Sequence, residues 1–490
     1  MATTFLSRRA GALLAMLALP GCAAVPHMGP APAIAPADHY AVSQSLAPTA
    51  PGAPWVKADW WASYGDPQLD GLIQEALAGA PDLAVALARV RRAEAIAQQA
   101  GAARLPSLDV SAGGSAAKQS YNNGIPPAFV PQGWNSSGNV HAALGFDLDL
   151  WGRNRAAYAA ARSDAEAAQL DYQQAALMLS TNVADAYADL ARLFAQRAVL
   201  QTALEVREKT QGLVSDRVTS GLDTQAELKQ ASAAVPAARS DLAATDEQIG
   251  LARNRLAALL GAGPDRGLAI MPPAVTIAAR GIPENVTTDL VGRRPDIAAA
   301  RVRVEAEASR IKVARADFYP AINLSAIFGF QSLGLSNLFK SGSDYGSVGP
   351  AITLPIFRGG ALQGQYKGAR AGYDEAVASY DRTVTDAYRA VADAVVSQRA
   401  LAVQLEQSRK SLADFEAAYA IATQRYEGGL STFLDVLTAQ DRALQAKRTV
   451  ADLQARAFTL DVALVRALGG GFTDTGTAAQ TTPTKDATHG

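Results

Sequence analysis

The sequence predicts a mainly α-helical chain with a membrane β-barrel portion, in which two internal repeats supply four strands and four long helical columns. The first observation is a duplication: residues 105–110 (LPSLDV) recur as residues 319–324 (YPAINL), and residues 217–224 (RVTSGLDT) recur as residues 425–432 (RYEGGLST). The second is the alternation of apolar residues with polar or small ones in strand-like segments. The third is a pair of proline-free helical patterns, each about 65 residues long.

Charge and motif content exclude several classes of protein. The chain has 490 residues, a formal net charge of −1 and no basic run, so we expect no nucleic-acid partner. It contains no P-loop, no HExxH and no CxxC motif, and its four histidines are scattered: His27, His39, His141 and His489. We therefore expect neither an enzyme, nor a metal site, nor a cofactor.

The N-terminus predicts a lipoprotein signal peptide over residues 1–21. Arg8 and Arg9 precede an apolar stretch at residues 10–19, which is too short to span a bilayer. The following LPGC, which ends at Cys22, resembles a bacterial lipobox and implies a covalent lipid on that cysteine, although Pro20 stands where Ala or Ser is usual. An ordinary signal peptide with a chance cysteine is the alternative.

The remaining chain divides into four predicted segments. Residues 22–59 are rich in Pro and Ala, which predicts an extended, lipid-anchored tether, and residues 472–490 predict a disordered tail. Between them, residues 60–270 and 271–471 form the two repeats. Each repeat is ordered as helix, β-hairpin, long helix and helix.

The predicted hairpins cover residues 107–150 and 320–357. Their strands of about ten to twelve residues match a tilted transmembrane strand, and the long loops rich in Gly, Asn and Ser suit extracellular loops. The fourth strand is expected at residues 348–356, where prolines at 350 and 355 weaken it. Alternation alone does not separate a membrane strand from a soluble antiparallel sheet with one buried face.

The predicted long helices run over residues 152–218 and 360–427. At 1.5 Å per residue each is roughly 100 Å long, which exceeds a globular core and favours coiled-coil-like packing. Two shorter helices placed end to end reach a similar length, and each repeat has one such pair. Each chain therefore supplies four columns. Four strands cannot close a membrane barrel, and open edges in lipid are unfavourable, so the chain must assemble. Three copies would give twelve strands around an open lumen, whereas eight strands would be filled by side chains.

Several motifs resemble the outer-membrane factor family of tripartite efflux systems, the TolC, OprM and NodT group. They are residues 293–297 (RRPDI), 314–320 (ARADFYP), 356–360 (IFRGG), 151–153 (WGR) and 467–471 (ALGGG). The resemblance implies a homotrimer with a TolC-like α/β barrel in the outer membrane, lipid-anchored and reaching into the periplasm of a Gram-negative bacterium. It also implies a periplasmic adaptor protein and an inner-membrane RND-type pump as partners.

The resemblance further implies a periplasmic gate at the helix-turn-helix tips. Leu434 matches an apolar ring, Asp435 and its first-repeat counterpart Glu227 match acidic positions, and Tyr426 matches a tyrosine of the closing network. Thr438 stands where the family commonly has Asp, and Ser431 where some members have Arg. The alternative is that the two carboxylates are solvated helix caps beside a turn.

Two further groups of residues complete the expected sites. Glycines at the two turns, each followed by leucine, are expected to provide turn geometry, and family resemblance adds adaptor docking: Gly221, Leu222, Gly429 and Leu430. If the apolar strand positions face lipid, Asp147 and Asp149 face the barrel lumen, and Trp151 belongs to the lower aromatic belt.

The function expected from these residues is a passive exit duct of an efflux pump for small molecules such as drugs. A duct for type I-like polypeptide secretion and a non-conducting lipidated scaffold are the alternatives. The strand hairpins at matched positions in both repeats argue against the scaffold. The sequence does not name the transported substrate.

Overall fold

The structure is a computed structural model that describes residues 25–36, 39–42, 44–46, 53–277, 280–283 and 285–474. Its helices and strands are α1 Pro67–Gly79, α2 Pro81–Ala102, β1 Ser107–Ala117, β2 Asn135–Asp147, α3 Arg153–Thr219, α4 Gln225–Leu259, α5 Pro264–Leu268, α6 Val286–Asp289, α7 Pro295–Ala316, β3 Ala321–Leu333, β4 Asp344–Thr353, α8 Ala361–Glu427 and α9 Phe433–Ala467. The mainly helical fold class predicted from the sequence is confirmed, and the four strands form one antiparallel sheet within the described residues.

The helices begin and end where local chemistry dictates. Asp66 caps α1, because its carboxylate accepts a hydrogen bond from the Gln68 backbone N–H at 3.0 Å, and Pro67 occupies the first turn. The two longest helices, α3 and α8, have 67 residues each, close to the predicted 152–218 and 360–427. The fourth strand is displaced from its predicted position at 348–356, since it starts at Asp344 and ends before Pro355.

The chain divides into two compact units, and each draws on both sequence repeats. The first contains residues 90–168 and 300–380 together with the described residues before 35. The second contains residues 169–299 and 381–474, as far as they are described, together with the described part of 35–89. The domain boundaries predicted from sequence stay a prediction.

The first unit holds a four-stranded antiparallel sheet in the order β1-β2-β3-β4. Ser107 of β1 lies opposite Gly145, Asp147 of β2 lies opposite Asn323, and Ala321 of β3 lies opposite Thr353. The register separates the side chains by face. One face is mostly polar or small, with Asp109, Ser111, Asn139, His141, Asp147, Asn323, Ser325, Gln331, Ser347 and Thr353, and it also carries Ile327, Leu333 and Tyr345.

The other face of the sheet is apolar and largely uncovered in the single chain, where only its side chains at positions 140, 144, 146 and 330 among those named below are half-buried. It carries Leu108, Val110, Val140, Leu144, Phe146, Leu324, Phe328, Phe330, Val348 and Ile352. Val110 is 73% exposed and Val348 is 77% exposed. A soluble sheet packs its apolar face on a core, so this face requires an apolar environment outside the single chain.

The second unit contains a buried polar network around Asp461 of α9, which is 2% exposed. Its carboxylate accepts a hydrogen bond from the Tyr64 hydroxyl at 2.6 Å and pairs with the Arg280 guanidinium at 2.8 Å. Burial, and then the negative charge of Asp461, raises the pKa of Tyr64. The network therefore ties the segment before α1 and the segment before α6 to the last helix.

The predicted tether makes contacts in its described part. Within the first unit, Arg370 of α8 donates a hydrogen bond to the Gly29 carbonyl at 3.3 Å. Within the second unit, the Ala35 backbone N–H donates to the Asp381 carboxylate at 3.0 Å, and the Tyr40 and Tyr388 rings lie 5.6 Å apart. The described part of this segment therefore lies against α8 at these points, and its role as a lipid-anchored tether stays a prediction.

Among the described helices, no single one combines the length and apolar content needed to cross a membrane. Only α1 and α2 taken together, bent by 41° at their junction, pass that test of length and composition.

Candidate functional site at the helix-turn tips

The two helix-turn-helix tips of the second unit end their first helices in the same way. Gly221 and Gly429 adopt positive φ angles of 71° and 73°. At the first tip the Leu222 N–H bonds to the Arg217 carbonyl at 2.8 Å, and the Leu430 N–H repeats this bond at 2.7 Å. These are Schellman motifs, for which glycine suits the left-handed position. Leu222 and Leu430 are 65% and 73% exposed, so both side chains lie at the surface of the single chain, and their role in adaptor docking stays a prediction.

The acidic residues predicted for the gate cap the second helices of the tips. The Thr224 hydroxyl and backbone N–H bond to the Glu227 carboxylate, and Thr432 bonds to Asp435 in the same way. Both pairs are capping boxes. The hydrogen bond from the Thr224 hydroxyl lowers the pKa of Glu227, and the bond from the Thr432 backbone N–H lowers the pKa of Asp435. Both therefore hold negative charge at the tip, and a gate role stays a prediction.

The tips share an apolar cluster that joins the two hairpins. Its fully buried members are Val214, Ala231, Tyr426, Phe433 and Val436. Partly buried side chains from α3, α4, α8 and α9 pack around them. The hairpins of the two repeats therefore meet through side chains more than 200 positions apart in sequence.

A polar triad closes one side of this cluster, and we call Arg217, Asp223 and Tyr426 the tip latch. The Arg217 guanidinium pairs with the Asp223 carboxylate at 3.0 Å, and the Tyr426 hydroxyl donates to the same carboxylate. The guanidinium carbon also lies 4.4 Å from the centre of the Tyr426 ring, a cation–π contact. Burial and the bond to Asp223 raise the pKa of Tyr426, which keeps its hydroxyl a donor.

Two members of the latch were missed by sequence reasoning. Only Tyr426 was predicted, although the repeat carries a signal for Arg217. Arg217 recurs as Arg425, but Asp223 recurs as Ser431, so the second tip lacks the carboxylate. There Arg425 donates instead to the Leu430 carbonyl at 3.4 Å.

The other predicted gate residues lie at the surface of α9. Leu434 is 61% exposed, and the Thr438 hydroxyl donates to the Leu434 carbonyl of the same helix at 2.8 Å. The single chain thus leaves Leu434 available for contact with another copy. That Leu434 contributes to an apolar ring at a gate stays a prediction.

The residues predicted for the barrel end lie where the strands of the first unit meet their helices. Asp147 is on the polar face of β2, and its carboxylate accepts from the Asp149 backbone N–H at 2.9 Å. Asp149 accepts from the backbone N–H groups of Asn154 and Arg155 at 2.9 Å each, so it caps α3. Trp151 is 51% exposed and stacks on Tyr319 with ring centres 4.8 Å apart.

Neither a cofactor nor a metal can be assigned from these groups. In the part of the chain that the structure describes, no cluster of three or more His, Cys, Asp or Glu side chains could hold a metal ion. Cys22, the predicted lipidation site, lies outside the described residues.

Comparison with known proteins gives one consistent result. Residues 72–262 and 287–470 match the family model described as outer membrane efflux protein. The fusaric acid resistance protein FusA of Burkholderia cepacia is 35% identical over 367 residues, which cover 74% of this chain and 68% of that protein. The multidrug resistance outer membrane protein MdtP of Escherichia coli K12 is 30% identical over 434 residues, covering 85% and 87%.

A solved structure agrees with this result. The outer membrane protein VceC of Vibrio cholerae superimposes with a TM-score of 0.81 at 44% sequence identity, over 85% of this chain and 100% of that one.

Proposed function

Because the chain belongs to the outer membrane efflux protein family, we propose that it is the exit duct of a tripartite efflux pump. The family places it in the outer membrane as an efflux channel. The proposal adds that it is a passive conduit for small molecules such as drugs, with a gate at its periplasmic end. The names of FusA and MdtP refer to small-molecule resistance, which favours this cargo over polypeptides.

The uncovered apolar face of the sheet is the observation that carries the proposal. The hydrocarbon chains of the lipid would cover that face, and the opposite, polar face would line an aqueous lumen. The edges β1 and β4 need partners in lipid, and three copies supply twelve strands in a barrel wide enough to stay open. The acting unit we propose is therefore a homotrimer. Diacylated Cys22 adds an anchor in the same membrane.

We propose that a periplasmic adaptor and an inner-membrane RND-type pump are the other two components of the efflux system. The family consists of transport ducts, and we propose that this chain has no catalytic activity and that its pump supplies the energy. The exposed leucines after Gly221 and Gly429 offer apolar contacts for adaptor hairpins.

The tip latch supports a mechanism for the gate. It holds the turn between α3 and α4 against the end of α8, through one carboxylate with two donors. In the trimer, Leu434 and Asp435 of three copies would form an apolar and an acidic ring at the axis, and the acidic ring would attract cations. An adaptor that separates the hairpins must break the latch, which then opens the rings.

A deletion strain tests the function. Its susceptibility to antibiotics, dyes, detergents and metal ions is measured with and without the restored wild-type gene. Hypersensitivity that the gene reverses supports efflux and names the class of cargo. If sensitivity is unchanged and a polypeptide disappears from the culture supernatant, the secretion duct replaces this proposal. Absence of conductance by the reconstituted protein, even with Asp435→Ala, would favour the scaffold.

A further inference from the structure

The two edge strands of the sheet end without a partner in the single chain. β1 and β4 are the outer strands of the described sheet, and every residue of β1 is exposed. We propose that β4 pairs with β1 of the next copy in one register, with Thr353 opposite Asp109 and Ile352 opposite Val110. This inference rests on the trimeric channel proposed above and names the contact between its subunits.

The strand pairs inside one copy already fix which residues lie opposite one another across three of the four strand-to-strand steps in each third of a closed barrel. Asp109 lies opposite Ala143, Ala143 opposite Ile327, and Ile327 opposite Ser347. The unknown step is the partner of Ser347 in β1 of the next copy. Because the copies are identical, the number of residues between Asp109 and that partner is the shift per subunit. Three such shifts make up the shear of the barrel.

Barrel geometry restricts this shift to few values. Side chains of one face must meet, so the shift is even. Shifts of about four, six or eight residues give shears of about 12, 18 or 24 for twelve strands. With about 3.3 Å per residue and 4.8 Å between strands, the strand tilts are about 35°, 46° and 54°. Membrane barrels tilt their strands by about 35–45°, which disfavours the shift of eight.

The internal repeat selects the shift of six. In the internal repeat, β1 corresponds to β3 and β2 corresponds to β4. The pairing of β4 with β1 of the next copy therefore corresponds to the observed pairing of β2 with β3. Residues 105–110 precede their counterparts by 214 positions, and residues 148–151 (LDLW) precede residues 354–357 (LPIF) by 206. These offsets convert the observed pair of Asp147 and Asn323 into the pair of Thr353 and Asp109. Ser347 then meets Ser115, six residues beyond Asp109.

A second way of matching the repeats is disfavoured by the strand tilt that it requires. Aligning the two hairpins pair by pair gives an offset of 208 between β2 and β4. That offset would put Thr353 opposite Ser111 and would require the shift of eight residues. In the proposed register, the Thr353 hydroxyl also faces a carboxylate that can accept its hydrogen bond.

Cysteine pairs test the register. Thr353→Cys is combined in turn with Ser107→Cys, Asp109→Cys and Ser111→Cys, which represent shifts of four, six and eight. Directly opposite residues have Cβ atoms about 4.5–5.5 Å apart and diagonal ones about 7–8 Å, whereas disulfides need about 3.5–4.5 Å. We expect mild oxidation to give covalent dimers and trimers at least about ten times faster with Asp109→Cys than with the other two.

Each outcome has one meaning, because trimer content is measured in parallel by native mass spectrometry. Faster cross-linking with Ser107→Cys or Ser111→Cys would overturn the register while leaving the trimer intact. Trimers without any cross-link would show that these edges do not pair. If the protein is not a trimer, the proposed function fails instead. The single-cysteine variants control for cross-links through Cys22.

Discussion

Replacement of Asp223 by alanine should open the tips. Asp223 is the shared acceptor of the tip latch, so Asp223→Ala leaves the Arg217 guanidinium and the Tyr426 hydroxyl without their acceptor. The side chains of Arg217 and Asp223 are only 13% and 10% exposed, and Tyr426 is buried, so water replaces the lost bonds poorly. Hydrogen bonds to charged groups contribute about 1.5–3 kcal/mol each.

The expected loss is about 3 kcal/mol from the closed arrangement, because part of each bond energy is recovered by local rearrangement. A difference of 1.4 kcal/mol is a factor of ten in an equilibrium constant, so the ratio of closed to open channels should fall roughly 100-fold. Single-channel recording of the purified protein in planar bilayers measures this ratio as open probability.

Glu427→Ala is the matched control for charge. It removes an exposed carboxylate from the same tip, and only the backbone carbonyl of that residue contacts Arg217. The control should keep the conductance of the wild type. Equal open probability for Asp223→Ala, Glu427→Ala and wild type would refute the latch, and an equal increase in both variants would show that tip charge alone controls the gate.

Three further predictions concern the second unit, the tip caps and the anchor. Asp461→Ala should destabilise the protein by roughly 3 kcal/mol, since it leaves a partly buried guanidinium unpaired; thermal unfolding by circular dichroism should show a lower Tm than for the exposed control Asp414→Ala. Folding lowers the pKa of Asp435, so its cap contributes stability above the unfolded pKa and loses it as the pH falls through the folded one. The protection of the amides in the first turn of α9, measured as their hydrogen exchange relative to the intrinsic rate at each pH, should fall over that acidic range. Thr432→Ala should lower this protection already at neutral pH, and protection that does not change with pH in the wild type would contradict the cap. Cys22→Ser should weaken membrane anchoring while trimers persist in outer-membrane fractions, and their complete loss would show that the lipid is essential for assembly.

Regular elements were predictable because their periodicities are strong over long segments. The 67-residue helices α3 and α8 contain no proline, and the alternation around Val140 defines β2. The fourth strand was predicted too late in the chain: it starts at Asp344 and ends two residues before Pro355. Pro350 lies inside it opposite Leu324, as an edge strand allows.

Side-chain partners were less predictable, because they depend on chain packing across long separations. Tyr426 was found by resemblance, but its acceptor Asp223 lies 203 positions away. Glu227 and Asp435 were predicted with a gate role and a capping role, and capping is the role that the single chain displays. The contacts of Gly29 and Ala35 with α8 had no signal, because a Pro/Ala-rich segment lacks periodicity.

The apolar face and the open edges of the sheet have a consequence for the chain before it is inserted into its membrane. A lone protomer in water would expose both the apolar face around Val110 and Val348 and two hydrogen-bonding edges. Such a surface is an aggregation hazard at ordinary concentrations. In the proposed trimer these surfaces are covered only when copies meet at the bilayer, so we expect the newly exported polypeptide to need an escort that keeps these segments apart until then.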